Sequence, residues 1–449
     1  MSEAICFQNG EKAVVTQYVS ELLHERYFRV THPSGLTVYL FPKEHSTLSA
    51  LYAVRFGGAN LAYRYEGDAE DTEIPVGTAH FLEHKMFEME DGSDAFQLFS
   101  ELGADANAYT SWDKTAYLFY ATEKEEECLK ALLGFVSKPY FTDETVKKEQ
   151  GIIGEEIRMN DESPVGRCFI NLLSAMYREN AVRNEICGSE ASIAQITPSI
   201  LYRCCEAFYT PSNMALVVSG RISLEDLLRI VDEMLPTERT ESRRVITRDE
   251  NRAETAAVFR PYVEEKMPVG KSIFLIGIKD HAAIALSPRE RMRRDALMSL
   301  VKEMYFSTSS VLYNRLFDAG IISPTLAAAY GATDLYAFFE IGGESDDPSR
   351  VLSEVKKTLS EARDSGVDDE LFERARRVRY AKAVKSFDST KTISEMLLDY
   401  VFSDYELFEY VSLLQTVKKE EVEELLRDAF PDESFSLSVI SPMADGEIE

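Results

Sequence analysis

The chain has 449 residues, 45% hydrophobic and 11% aromatic, which is enough for more than one sizeable core and points to two domains of about 200 residues each. Its formal net charge of −28, from 49 Lys+Arg against 77 Asp+Glu, leaves little room for a basic face and speaks against nucleic acid as a partner. The first ten residues lack a basic stretch leading into an apolar one, no apolar run approaches a membrane span, and the 6 cysteines form no C-x-x-C pair. Together these predict a cytoplasmic protein with reduced thiols and no membrane association.

Apolar alternation through Tyr27, Val30, Leu36, Val38, Leu40, Ala50, Tyr52 and Val54, broken at Pro33-Ser34-Gly35, predicts opening strands with a hairpin turn. Gly57-Gly58 and an acidic loop over 66–73 lead into an amphipathic run from His80 to near Phe99. Strands follow at 106–110 and 115–120, then helices at 123–136 and 143–160. A helical region over 193–208, a strand at 215–218 ending at Gly220, and a helix at 224–234 complete the first half. Between 236 and 258 the chain is charged and poor in apolar residues, as a linker is. Beyond it the order partly recurs: strand 272–278, helix 289–306, strands 326–330 and 336–341, helices 348–365 and 368–385, and a last strand 435–440. The expected division is an N-terminal domain over 1–235, a charged linker over 236–268, and a C-terminal domain over 269–449 that echoes the first without its paired histidines.

His80-Phe81-Leu82-Glu83-His84 carries the chemistry. On a helix, residues four apart lie one turn above each other, so His80 and His84 can aim two imidazoles at one point. Glu83 reaches the edge of the same point without being a ligand. A water bound to zinc has its pKa drawn towards neutrality, and a carboxylate beside it can take the proton and pass it to a leaving amine. The order H-x-x-E-H reverses the commoner H-E-x-x-H run and is the inverzincin arrangement.

A third ligand is expected from the helix at 143–160. At 100° per residue from Glu149, the apolar positions Val146, Ile152, Ile153 and Ile157 fall between about −60° and +80°. Glu149 sits in the middle of that stripe and Glu156, seven residues on, returns to within about 20° of it. Carboxylates in an apolar stripe are normally paired or metal-bound. Glu155 points about 120° away. Glu156 is therefore the candidate third zinc ligand and Glu149 the acceptor that orients one imidazole, the alternative being a buried ion pair with Arg or Lys. Two His and one Glu leave a fourth position open for water, as in catalytic zinc sites.

Gly342-Gly343 lacks the Lys-Ser/Thr of a phosphate loop and reads as a turn, and the basic run from Arg374 to Arg379 reads as a solvated helix face. The remaining histidines have no neighbours at ligand spacing. Cys168, Cys187 and Cys204 have no His or Lys nearby in sequence to lower a thiol pKa, and no thiol nucleophile is expected.

These residues resemble those of the pitrilysin/insulinase family of zinc peptidases. The stretch from Gly77 to His84 is similar to the family's G-x-A-H-x-x-E-H block. The stretch from Glu149 to Glu156 is similar to its distal glutamate block, in which the last Glu binds zinc and the first supports the site. The resemblance also covers Gly103 to Thr110, the strand beside the metal, and Tyr209 to Met214. It implies an α+β fold of two homologous α/β domains, each a mixed, largely antiparallel sheet flanked by helices, forming half of a clamshell-type dimer around a chamber. A peptide or unfolded segment would be added as a strand along Asn107, Ala108, Tyr109 and Thr110, while Glu83 acts as general base in a zinc endopeptidase.

One departure concerns the second half. Active members often carry L-R-x-x-x-x-x-x-Y there, and this chain has Phe317 and Pro324 where the Arg and Tyr stand. The implied partner is a second family member, in a homo- or heterodimer, that supplies the Arg/Tyr pair. The alternative function is a non-catalytic or weakly active peptide-binding subunit of a heterodimeric peptidase.

Overall fold

A computed structural model describes residues 2–6, 12–235, 243–248 and 254–443, with side chains from residue 14 onward. Of the 236–258 linker, residues 236–242 and 249–253 lie outside the described residues. Two compact units emerge. The first comprises Met1–Ile157, Glu185–Arg248 and Val384–Phe402, and the second Arg158–Asn184, Asp249–Ala383 and Ser403–Glu449.

The strands of the first unit are β1 (Ser2–Cys6), β2 (Lys12–Ser20), β3 (Glu25–Thr31), β4 (Thr37–Pro42), β5 (Leu48–Val54), β6 (Ala62–Tyr65), β7 (Thr72–Glu73), β8 (Asp105–Thr110), β9 (Thr115–Ala121), β10 (Met214–Gly220) and β11 (Val245–Thr247). β11, β6 and β7 form a small sheet. The other eight form one sheet in the order β1-β2-β3-β4-β10-β5-β9-β8. Only β4 and β10 run parallel, and every other neighbouring pair is antiparallel.

β5 and β10 are buried at every position, because helices cover both faces of the sheet's centre. Ala50, Tyr52 and Val54 face a core shared with the helices α1 (Thr78–Met86), α2 (Ala95–Leu102), α3 (Glu125–Val136) and α4 (Asp143–Asp161). On the alternate parity, Ser49 meets Ser394 at 2.6 Å, where the helix Thr390–Phe402 packs on β5 and β10. A buried hydroxyl needs such a partner.

The second unit holds β12 (Tyr262–Met267), β13 (Ile273–Lys279), β14 (Ala327–Ala332), β15 (Ala337–Glu344) and β16 (Phe435–Pro442) in the order β12-β16-β13-β15-β14. Its first and last strands pair parallel and the rest antiparallel. The order β4-β10-β5-β9-β8 of the first unit has the same pattern of insertion and direction, so the two units share one topology. The fold is α+β, with two mixed, largely antiparallel sheets flanked by helices.

The units are not contiguous in sequence, unlike the division expected from composition. The helix Pro164–Met176 belongs to the second unit, where Cys168 Sγ lies 3.6 Å from Ser438 Oγ on β16 and a Cβ added to Gly277 on β13 would sit 2.4 Å from Met176 Sδ. The amphipathic run from His80 to Phe99 is two helices. At Glu88 the chain makes a bridge to Asp94 around a turn in which Gly92 has φ +81°, and the Asp94 carboxylate then caps α2 at Phe96 N–H. The region 193–208 is likewise broken, by the Thr197 cap and Pro198 at the start of Pro198–Phe208.

Candidate metal centre

α1 begins at a tight backbone approach. Gly77 has φ +94°, and a Cβ there would lie 2.6 Å from the Cys187 carbonyl oxygen; Gly188, at φ +77°, would meet the Val76 carbonyl in the same way. Two glycines thus let the chain turn into α1 against the 187–188 backbone. Phe81, Leu82 and Met86 anchor the helix in the core, leaving His80, Glu83 and His84 half-buried on its open side.

α4 supplies the other half. Val146, Ile153 and Ile157 are buried, as the periodicity predicts, and Gln150 Nε2 donates to the carbonyls of Ile193 and Ile196 at 3.2 Å. Ile152 departs from expectation and is 47% exposed, so the buried stripe is narrower than four apolar letters suggest. Glu149 and Glu156 are half-buried and Glu155 is exposed.

The two helices converge. His80, His84 and Glu156 offer ligand atoms that all lie within 4.8 Å of one another, the sole such cluster of three or more among the described residues. His80 Nε2 lies 3.5 Å from Glu156 Oε1, and His84 Nε2 lies 3.5 Å from Glu156 Oε2. Zinc bonds of about 2.0–2.1 Å in tetrahedral array set ligand atoms roughly 3.4 Å apart, so the donor set and its spacing fit zinc.

Glu149 Oε1 lies 3.1 Å from His84 Nδ1, which turns the Nε2 lone pair of His84 towards Glu156. The imidazole that Glu149 orients is thus that of His84. Burial works against a charged His84, but the Glu149 hydrogen bond and the charges of Glu83, Glu149 and Glu156 outweigh it and hold its pKa above the ordinary value. Glu156 is held below the usual carboxylate range, first by its hydrogen bond with His80, against burial. His80 Nδ1 is buried with no hydrogen-bond partner among the described residues.

Glu83 makes a contact that sequence reasoning missed: Thr110 Oγ1 donates to its Oε2 at 2.6 Å. The pair is 27 residues apart, on a helix and a strand, and no local pattern signals it. Within reach of the Glu83 charge, Tyr117 and Tyr209 share a hydroxyl contact of 2.9 Å. Burial above all, with the Glu83 charge adding to it, raises both phenols well above their usual range and keeps them neutral.

β8, which holds Asn107, Ala108, Tyr109 and Thr110, is the edge of the eight-stranded sheet and, among the described residues, pairs with β9 alone. Its free side is partly covered by its own sequence, because the Asn107 carboxamide oxygen accepts from Ala108 N–H at 2.8 Å.

Residues 66–190 match the profile of the insulinase family, peptidase family M16, and residues 195–379 match that of the peptidase M16 inactive domain. The uncharacterized zinc protease YmfH of Bacillus subtilis (strain 168) is 34% identical over 423 residues, covering 94% of this chain and 98% of YmfH. A crystal structure of an M16-like peptidase from Alicyclobacillus acidocaldarius is 28% identical, with a TM-score of 0.85 over 96% of this chain and 99% of that one. Pitrilysin shares the fold at a TM-score of 0.73 and 15% identity, over 98% of this chain and 46% of pitrilysin. No helix among the described residues is long and apolar enough to cross a membrane. With two units of one topology, an H-x-x-E-H helix facing a glutamate helix, and a full-length relative at this identity, the chain belongs to the insulinase family of peptidases, family M16.

Proposed function

We propose that the chain is a zinc endopeptidase that hydrolyses peptides or unfolded protein segments in the cytoplasm, with His80, His84 and Glu156 as metal ligands and Glu83 as general base. The observation that carries this reading is the convergence of α1 and α4, which sets both Nε2 atoms 3.5 Å from the Glu156 carboxylate. Zinc held there supplies the Lewis acidity that polarises a peptide carbonyl and acidifies a water. Glu83 takes the proton of the attacking water and returns it to the leaving amine. Glu149 keeps His84 in the tautomer whose Nε2 is free to ligate.

The substrate is held as an added strand. Along β8, main-chain groups of Asn107, Ala108, Tyr109 and Thr110 bond an extended peptide irrespective of its side chains, once the Asn107 carboxamide releases Ala108 N–H. Metal analysis together with cleavage of a mixed peptide library, with and without a chelator, tests the reading. Glu83→Gln is expected to keep its zinc and lose hydrolysis by about 10²- to 10⁴-fold, and His84→Ala to lose both. Unchanged turnover in Glu83→Gln would overturn the mechanism.

A second reading, a weakly active peptide-binding subunit of a heterodimeric peptidase, is favoured by Phe317 and Pro324 in the places of the family's Arg and Tyr. A lone chain that binds zinc and leaves the whole library uncut would select it.

A further inference from the structure

We propose that Thr110 is a positioning residue for Glu83, which fixes one oxygen of the base from the strand along which the peptide is added. The inference rests on the reading of Glu83 as the proton carrier. On β8 the side chains alternate, and Ala106, Ala108 and Thr110 fall on the face that packs towards the helices. Thr110 is the last residue of the strand, opposite Thr115 across a hairpin that Ser111 N–H closes on the Lys114 carbonyl.

A threonine hydroxyl has one proton to give. Here it has two neighbours: Glu83 Oε2 at 2.6 Å and Thr115 Oγ1 at 3.3 Å. Thr115 is fully buried and donates its own proton to the Phe56 carbonyl at 2.9 Å, so its position is set by the sheet. The carboxylate wins the Thr110 proton by distance and by charge. Oε2 is then occupied, and Oε1 is left to receive and return the proton. Because Thr110 also ends the substrate strand, the register of a docked peptide and the position of the base are set by one residue. A β-branched side chain serves this well, having few rotamers to lose.

The test compares Thr110→Val, which keeps the shape and loses the hydroxyl, with Thr110→Ser, which keeps the hydroxyl. Kinetics are measured on a fluorogenic peptide chosen from the cleaved members of the library. Thr110→Val is expected to lower kcat about tenfold or more, with KM within about twofold and zinc content undiminished, and Thr110→Ser to recover most of the loss. A wild-type kcat in Thr110→Val, an effect confined to KM, or a Thr110→Ser enzyme as slow as Thr110→Val would overturn the assignment. In the metal-free protein, where turnover plays no part, the melting-temperature shifts of Thr110→Val and Glu83→Ala should fail to add, since the two groups touch; strict additivity counts against it. If Glu83→Gln itself turns over normally, the proposed mechanism fails too. If Glu83→Gln is inactive and Thr110→Val unimpaired, the positioning role alone fails.

Discussion

Glu155 and Glu156 are adjacent in sequence and separated by about 100° around α4, and that angle decides their chemistry. Glu155 is exposed, while Glu156 meets both histidines. We expect Glu156→Ala to lose zinc and Glu155→Ala to keep it, with metal analysis of the two purified variants as the check; zinc loss in the Glu155 variant would mean that the assigned helix face is wrong. At this scale the sequence was legible where one helix governs the answer. His80, Glu83, His84, Glu149 and Glu156 all follow from turns of 3.6 residues. Ile152 shows the limit: its phase is compatible with the core, yet it is 47% exposed, because whether a neighbour covers that edge of α4 depends on other parts of the chain. Thr110 shows the limit from the other side, being visible as a strand residue but not as the partner of Glu83.

At the scale of elements, strands and long helices were readable and their neighbours were not. Pro348–Ser365 appears where it was expected, and Asp143–Asp161 ends one residue beyond the expected 160. The helices Pro164–Met176 and Thr390–Phe402 had no such reading, and each completes the unit built mainly from the other half of the sequence. An amphipathic face says that a helix must be covered, and any apolar sheet face can cover it. The helix Pro288–Tyr305 carries a second consequence of packing. Burial raises the Asp295 carboxyl to about 6, against the Tyr410 hydrogen bond and the charges of Arg379 and Lys302, which pull it down. A folded-state pKa above the unfolded value of 3.8 means that the folded chain binds this proton more tightly, so the group costs stability as pH rises through that window and the full cost is present above about 6. The stability of Asp295→Asn relative to the native chain should therefore rise by up to about 3 kcal/mol between about pH 4 and about pH 7. Denaturant unfolding at the two pH values checks it, and a pH-independent difference would show that Asp295 titrates normally.

For the whole molecule, the repeated strand order means that one topology serves two units, and only the first unit carries paired histidines and a facing glutamate. The family's Arg and Tyr are absent from the second half, and Phe317 stands 44% exposed. An oxyanion formed during hydrolysis gains from a second donor, and loss of one such donor costs about 10²- to 10³-fold in rate. The lone chain should therefore bind zinc yet cleave slowly, and adding a second family member from the same source should raise the rate by about a hundredfold or more. Full activity of the chain alone, unaffected by any partner, would refute the pairing. The sequence by itself determined which histidines and glutamates share a helix face and which residues alternate along a strand, because these depend on the 3.6 and 2.0 periods of single elements. Only the tertiary structure decided that α1 and α4, with His84 and Glu156 72 positions apart, share one point, that β10 lies between β4 and β5, and that a threonine at a strand end donates to Glu83. Those outcomes depend on contacts between distant segments, and the local pattern of each segment is equally compatible with many other partners.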